Sequence, residues 1–265
     1  MTKAKIPVIL ILIVFLVSCS KVPITNRKQF KMLPDSIMMS MSMTNYKGFL
    51  SQNPTVPISN SGAAMVKNVG NKMSGAITNY LKSKGHSKRI KNFKWEFNLV
   101  KNNQVNAWCM PGGKIVFYSG ILPITKDANG IAVVMGHEMG HAVAKHGNER
   151  MTQQLAIILG GISLQVAMQE KPEQTKNIFL AAYGAGSTLG TLAYSRKHEY
   201  EADKLGMVFM ALAGYDPASS IGFWERMSAK GGAKVPEFLS THPSDTKRIA
   251  EMKKFLPTAN KYYKK

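Results

Sequence analysis

Apolar residues recur along this chain in helical and in alternating rhythms. From Gly62 to Lys84, the residues Met65, Val69, Met73, Ile77 and Leu81 fall every four positions, the spacing of one helix face. Phe93–Val100 (FKWEFNLV) instead alternates apolar and polar positions, which predicts a half-buried strand. Asn106–Met110 (NAWCM) and Lys114–Tyr118 (KIVFY) predict two more, with Pro111-Gly112-Gly113 as the turn between them. Three short strands with a hairpin predict a small antiparallel sheet. Upstream, Pro34-Asp35-Ser36 starts a helix running to about Phe49, and Ser51–Gly62 is a Pro-, Asn- and Ser-rich loop. The run Met38–Met43 admits a thioether site for copper, but methionines at i, i+3 and i+4 are what a packed helix face uses.

Val133–Arg150 (VVMGHEMGHAVAKHGNER) predicts a further helix, capped by Asp127 or Thr125 and closed by Gly147. Leu155–Met168 is strongly apolar but short and carries Gln165; Ile178–Tyr194 is interrupted by Gly184, Gly186, Ser187, Thr188 and Gly190. Neither makes a convincing bilayer span. Both are expected to pack against the preceding helix or to line a greasy substrate groove. Ser244–Leu256 predicts the last helix, with no internal repeat and no second domain after it. The class these elements define is α+β, mainly helical with one small sheet.

The N-terminus stands apart. Lys3 and Lys5 precede the apolar run Ile6–Val17, too short to span a bilayer, which predicts a cleaved signal over residues 1–18. Leu16-Val17-Ser18-Cys19 resembles the bacterial lipobox, and the resemblance implies that Cys19 becomes the acylated first residue of a lipoprotein. A plain secretory signal is the alternative. On the lipobox reading, residues 19–34 form a lipidated tether running into a short strand, and residues 35–265 the folded domain. Ser20 after the cysteine implies the outer membrane, facing the periplasm. Cys109 is then the one cysteine left, expected as a small buried apolar residue. The formal charge of +20, with lysines gathered at Lys82–Lys94 and Lys261–Lys265, favours anionic surfaces such as lipid headgroups. No aromatic-interleaved basic motif suggests nucleic acid. The oligomeric state is not legible.

The candidate chemistry lies in His137-Glu138-Met139-Gly140-His141. Histidines four apart share one helix face and can hold one metal ion; Glu138, turned by about 100°, lies beside that ion, where it can take a proton from an activated water. Catalytic zinc takes three protein ligands and keeps one position open, so a third ligand should come from elsewhere. Ser195–Asp203 (SRKHEYEAD) supplies it: Glu199 can ligate, and Asp203, on the same face, can accept a hydrogen bond from a ligand histidine's other ring nitrogen. Glu201 points the other way and is expected to be solvated or salt-bridged. His198 is the rival ligand but cannot share the face of Asp203. His86, His146 and His198 are expected as surface or packing residues.

HEMGH, followed by S-R-x-x-E-x-E-A-D-x-x-G and then Thr241-His242-Pro243 with Arg248, resembles the gluzincin metallopeptidase family of the CAAX prenyl endopeptidase, HtpX and Oma type. The lipobox, Val22–Gln29 (VPITNRKQ) and Asn106-Ala107 before Pro111-Gly112-Gly113 resemble its periplasmic lipoprotein branch, similar to LoiP and BepA. The membrane spans of HtpX and the tetratricopeptide array of BepA have no counterpart here. The resemblance implies a zincin-like domain whose sheet turns an edge strand, Asn106, Ala107 and Trp108, toward the active site for pairing with an extended substrate. It implies one zinc per chain on His137, His141 and Glu199, with Glu138 as general base. His242 and Arg248 are the candidate partners of the tetrahedral oxyanion. His242 has a second possible role, occupying zinc's open position as a latch. The implied function is a zinc endopeptidase of the bacterial envelope acting on misfolded or stalled envelope proteins. The alternative is a latent protease serving as an assembly factor or chaperone-like lipoprotein. An adhesin using the basic face would give no reason for an intact zinc site.

Overall fold

A computed structural model describes residues 19–230, 237–242 and 246–263. The signal expected over residues 1–18, and Pro243, lie outside the described residues. In chain order the elements are a β1 (Cys19–Lys21) and β2 (Lys28–Phe30) hairpin, then α1 (Asp35–Gln52) and α2 (Ser61–Ser83). A second sheet of β3 (Glu96–Val100), β4 (Ala107–Met110) and β5 (Lys114–Tyr118) precedes the short α3 (Leu122–Thr125). The helices α4 (Ala128–Ala144), α5 (His146–Ala167), α6 (Glu173–Leu212), α7 (Ser219–Ala229), α8 (Glu237–Thr241) and α9 (Thr246–Asn260) complete it. The class is α+β and mainly helical, as expected.

Asn60 caps α2 by accepting from the backbone N–H groups of Gly62 and Ala63. The predicted stripe on α2 is buried at Val69, Met73, Ile77 and Leu81, with Met65 half-buried. The sheet has the order β3-β5-β4. The β4–β5 hairpin is antiparallel as predicted, but β3 pairs parallel to β5, Glu96 opposite Lys114 through Val100 opposite Tyr118, so this sheet is mixed. Burial explains the arrangement. All of KIVFY is buried, Lys114 included, because its ammonium reaches Glu96 at 2.9 Å and the carbonyl of Lys94 at 2.8 Å. So continuous a run belongs in the centre of a sheet. That leaves β4 on an edge, beside α4.

Every residue of α4 from Gly130 to Ala144 is buried, the signature of a helix inside the core. Asp127 caps it, accepting from Gly130 at 2.9 Å. Gly147 does not close it. The chain instead reverses at Lys145, in the left-handed conformation at φ 59°, and α5 begins at the next residue. A lysine tolerates that backbone because Asp35 pairs with its ammonium, while Arg89 donates to the terminal carbonyls of Val143 and Ala144.

The two later apolar stretches do not pack on α4 as expected. They form α5 and the first half of α6, joined to each other by Tyr183 Oη donating to Ile157 O at 2.6 Å. Ile158, Leu159, Ile162, Val166, Ile178, Phe179 and Leu192 are half or more exposed. Among the described residues no helix is long and apolar enough to cross a membrane. The second half of α6 meets α4 backbone to backbone. A Cβ on Gly136 would stand 2.8 Å from Gly206 O, and one on Gly140 2.8 Å from Ala202 O. Small residues one turn apart on both helices allow this approach, and it is what carries α6 into the site.

Candidate active site

The close crossing sets His137 and His141 on α4 against Glu199 and Asp203 on α6. His137 Nε2 lies 3.0 Å from His141 Nε2 and 3.2 Å from Glu199 Oε2; His141 Nε2 lies 3.3 Å from Glu199 Oε1. Donors held at the roughly 2.0–2.2 Å that zinc requires, in a tetrahedron, stand about 3.3–3.6 Å apart, so the residues present, already drawn to within a few tenths of an ångström of that, fit such an ion. Both Glu138 Oε1 and Glu199 Oε1 are buried and make no hydrogen bond, leaving acceptors directed into the cluster. Two nitrogens and a carboxylate are also the donor set zinc takes at catalytic sites.

His242 enters the same cluster. Its Nδ1 lies 2.9 Å from Glu199 Oε2 and 3.1 Å from His137 Nε2, and its Nε2 3.5 Å from Glu138 Oε1. His137, His141, Glu199 and His242 each offer one ligand atom, all within 4.8 Å of one another. The histidine predicted from the sequence therefore stands among the residues that could hold an ion.

Asp203 Oδ1 accepts from His137 Nδ1 at 2.9 Å, the outer contact anticipated for a ligand histidine. Arg248, a candidate partner of the oxyanion, borders the cluster, its Nη2 3.4 Å from Glu199 Oε2. Its Nε and Nη2 donate to Asp203 at 2.5 and 2.8 Å, its Nη1 to His242 O at 3.2 Å, and its guanidinium lies 3.7 Å over the Trp224 ring. Its planar fork on the carboxylate and its stacking on the indole fix Asp203 and the carbonyl of His242.

Burial and charge set the acid–base character. Burial pushes the Glu138 carboxyl up to about 7, with Glu199 adding to the rise and His242 opposing it. Burial would also raise Glu199, but His141, His242 and His137 hold it well below the usual carboxylate range. Burial holds His141 well below its ordinary value, favouring neutral imidazole. Burial would lower His137 likewise, but its hydrogen bonds to Asp203 and Glu199 raise it.

Of the predicted edge strand, Ala107 is buried, and Asn106 sits just before β4 with its carbonyl accepting from Tyr118 at 3.0 Å. The Trp108 ring turns to the opposite face, against Phe49 at 4.9 Å between ring centres. Alternation along the strand puts Cys109 beside the site instead, where its backbone N–H donates to Glu138. The thiol itself is free, and burial pushes its pKa well up, with the Glu138 carboxylate adding to the rise. Cys109 and His141 also line a cleft of about 460 Å³, open to solvent, walled by Met38, Met39, Phe93 and Pro111.

Sequence reasoning missed a second cluster, behind His141. His146 and His198, assigned to surface or packing, are both buried and stack at 4.0 Å between ring centres. His146 Nδ1 lies 2.8 Å from His141 Nδ1, and its Nε2 2.9 Å from Glu201 Oε2. Arg27 from the N-terminal hairpin reaches both Glu149 and Glu201 at 2.6 Å. Glu201 is thus salt-bridged, one of the two states foreseen, and buried. Burial would raise its pKa, but hydrogen bonds from His146, Arg27 and Thr25 hold it at about 2, while burial pushes His146 down to about 4. The one signal in the sequence was charge. Glu149, His146, His198 and Glu201 flank the two motifs on otherwise core-facing turns.

Two imidazoles and a carboxylate on crossing helices, with a second carboxylate alongside, define a metallopeptidase site of the H-E-x-x-H type. The pattern of peptidase family M48 matches residues 71–256, more than half of the chain, and the protein belongs to that family and is a metalloendopeptidase. Among curated relatives, it is similar to the mitochondrial metalloendopeptidase OMA1 of Saccharomyces cerevisiae, 31% identical over 92% of this chain and 70% of the relative. It is similar also to the mitochondrial metalloendopeptidase OMA1 of Homo sapiens, 33% identical over 65% of this chain and 34% of the relative. The beta-barrel assembly-enhancing protease of Escherichia coli is 28% identical over 66% of this chain and 38% of the relative. The chain thus spans only about a third of the human and bacterial relatives' length.

Proposed function

We propose that this protein is a zinc-dependent endopeptidase, anchored in the bacterial envelope by lipid on Cys19, that cleaves misfolded or stalled envelope proteins. The observation that carries the chemistry is the convergence of His137, His141 and Glu199, with buried oxygens of Glu138 and Glu199 that make no hydrogen bond turned into their midst. Zinc held by those residues would supply a Lewis acid that activates water and polarises the scissile carbonyl. Glu138, poised near neutrality, takes the water's proton and passes it to the leaving amine. The β4 edge beside Glu138 suits a substrate strand added through main-chain pairing, which selects extended or unfolded segments over particular side chains.

His242 supports a latched resting state. Its Nδ1 sits among the ligand atoms, where a fourth donor would exclude substrate, and withdrawal of its loop would open the site. The same observation favours the second reading, a latent protease that serves envelope assembly, and the name of the Escherichia coli relative is in keeping with such a setting. The lipobox supports membrane attachment. Cys19 pairs with Phe30, and two residues on, Met32 N donates to Thr152 Oγ1, just before the exposed apolar turns of α5. The lipid and that apolar surface would then share one side, with the basic surface available to anionic headgroups.

The test is Glu138→Gln, assayed on an unfolded protein substrate. The expected result is a loss of at least about a hundredfold in cleavage, the scale of general acid–base catalysis, with zinc retained. Full activity in the variant would sink the peptidase mechanism; an unchanged cellular phenotype alongside lost cleavage would favour the assembly role.

A further inference from the structure

The cluster of His146, Glu149 and His198 has the composition of a second metal site, but its cation is already present in the chain. Arg27 Nη1 and Nη2 fork onto Glu149 Oε1 and Oε2 at 2.8 and 2.6 Å, and Arg27 Nε donates to Glu201 Oε2 at 2.8 Å. The guanidinium already pairs with both carboxylates. What the cluster does instead follows from what it touches. His141, directing Nε2 to the metal position, carries its hydrogen on Nδ1 and faces His146 Nδ1 at 2.8 Å. His146 accepts there and donates from Nε2 to Glu201 at 2.9 Å. Thr25 Oγ1 and Arg27 Nε then fix Glu201, at 2.5 and 2.8 Å. Every donor meets an acceptor with both imidazoles neutral, so the chain of contacts admits one tautomer of each ring.

We propose that the β1–β2 hairpin is a functional part of the metal centre. Through Arg27 and Thr25 it holds Glu201, through Glu201 it orients His146, and through His146 it sets the ring plane and tautomer of His141. The two ligand histidines are then locked from opposite ends of the chain. His137 is held by Asp203, itself clamped by Arg248 of α9; His141 is held by His146 and Glu201, clamped by Arg27 ahead of α1. The reversal at Lys145 is what makes the second lock possible, because a helix continuing past Ala144 would carry residue 146 away from His141. Gln29 closes the hub, donating to Glu149 at 2.8 Å and to Ala144 O at the end of α4. Arg27, Glu201 and His146 are therefore positioning residues, acting on the metal through His141. A segment that begins at the proposed lipid attachment site thereby reports on the active site.

This inference rests on the metal role of His141, and its test separates the two. Zinc affinity is measured on the full chain in detergent by competition with a chromophoric chelator, and the cobalt-substituted spectrum by visible absorption. Arg27→Ala and His146→Leu should each weaken zinc about 10–100-fold, the range for losing an outer partner of a ligand, and alter the cobalt band. The double variant should be no worse than His146→Leu alone, since both changes break one series of contacts. Arg27→Lys, which keeps the charge but not the fork, should fall between Arg27→Ala and the unsubstituted chain. Lys28→Ala, at the exposed neighbouring position, should change nothing. Circular dichroism establishes that each variant is folded. Tight zinc in the unsubstituted chain with affinity within twofold in folded Arg27→Ala would overturn the role of the hairpin alone, as would additive losses in the double variant. No zinc in the unsubstituted chain would overturn the metal centre and this inference with it.

Discussion

Gly140→Ala tests whether the helix crossing builds the site. The added methyl would stand 2.8 Å from Ala202 O and 3.1 Å from Ala202 Cα, both backbone atoms of α6 with no side chain to turn aside. A relaxed carbon–oxygen contact is about 3.3–3.6 Å, so α4 and α6 must part locally by roughly 0.5–0.8 Å. Overpacking of this kind costs about 1–3 kcal/mol, against about 0.5–1 kcal/mol gained by replacing a helical glycine with alanine. The net expectation is about 1–2 kcal/mol of destabilisation. The larger consequence falls on the site, because the displaced turns carry His141 and Glu199, whose ligand atoms are 3.3 Å apart. Misplacement by 1 Å costs about a hundredfold in rate, so a loss of at least about tenfold in cleavage is expected, with weaker zinc. The assay is urea unfolding followed by circular dichroism, paired with zinc affinity. Gly75→Ala in α2, where an added Cβ meets nothing within 4 Å, serves as control and should gain about 0.5–1 kcal/mol. A Gly140→Ala protein as stable as that control, with unchanged zinc affinity, would show that the close crossing does not build the site.

Replacing His242 with alanine should change cleavage by about tenfold or more, an increase if the residue is a latch and a decrease if it donates to the oxyanion; no change would eliminate both. Glu201 gives an acid dependence. Its folded pKa of about 2 lies below the ordinary 4.5, so its ion pairs stabilise fully above pH 4.5, and that contribution is lost as pH falls from 4.5 toward 2. The whole contribution is at most about 3 kcal/mol, and nearer 2 with solvent screening around the partly exposed Arg27. Urea unfolding of metal-free protein should show Glu201→Gln with a flatter acid limb; an identical limb would contradict the assignment. Cys19→Ala should abolish fatty-acid labelling and move the protein from membrane to soluble fractions, and a variant still labelled would place the lipid elsewhere.

The strongest elements were legible because local pattern and tertiary demand agree in them. The stripe of α2 needed only a helical period, and KIVFY only its continuous apolar run. His137, His141 and Glu199 were legible because H-E-x-x-H and the later E-x-x-x-D each set two side chains on one helix face. Long-range contacts were not. The parallel pairing of β3 with β5 depends on which strand needs two neighbours. The end of α4 depends on Asp35 and Arg89 making a left-handed lysine tolerable. His146 could be placed only once that reversal was known, and Arg27 only once the hairpin was seen docked. The apolar helices misled for a related reason. Their composition indicated burial, but α5 and the first half of α6 cover one another and leave their outer faces exposed.

Metal analysis of the purified native protein, run beside Glu199→Ala, decides whether His137, His141 and Glu199 hold zinc. One zinc per chain is expected in the native protein, and loss of that zinc in the variant with its helical content intact. A native protein without stoichiometric zinc, or a Glu199→Ala protein that keeps its zinc, would contradict that assignment.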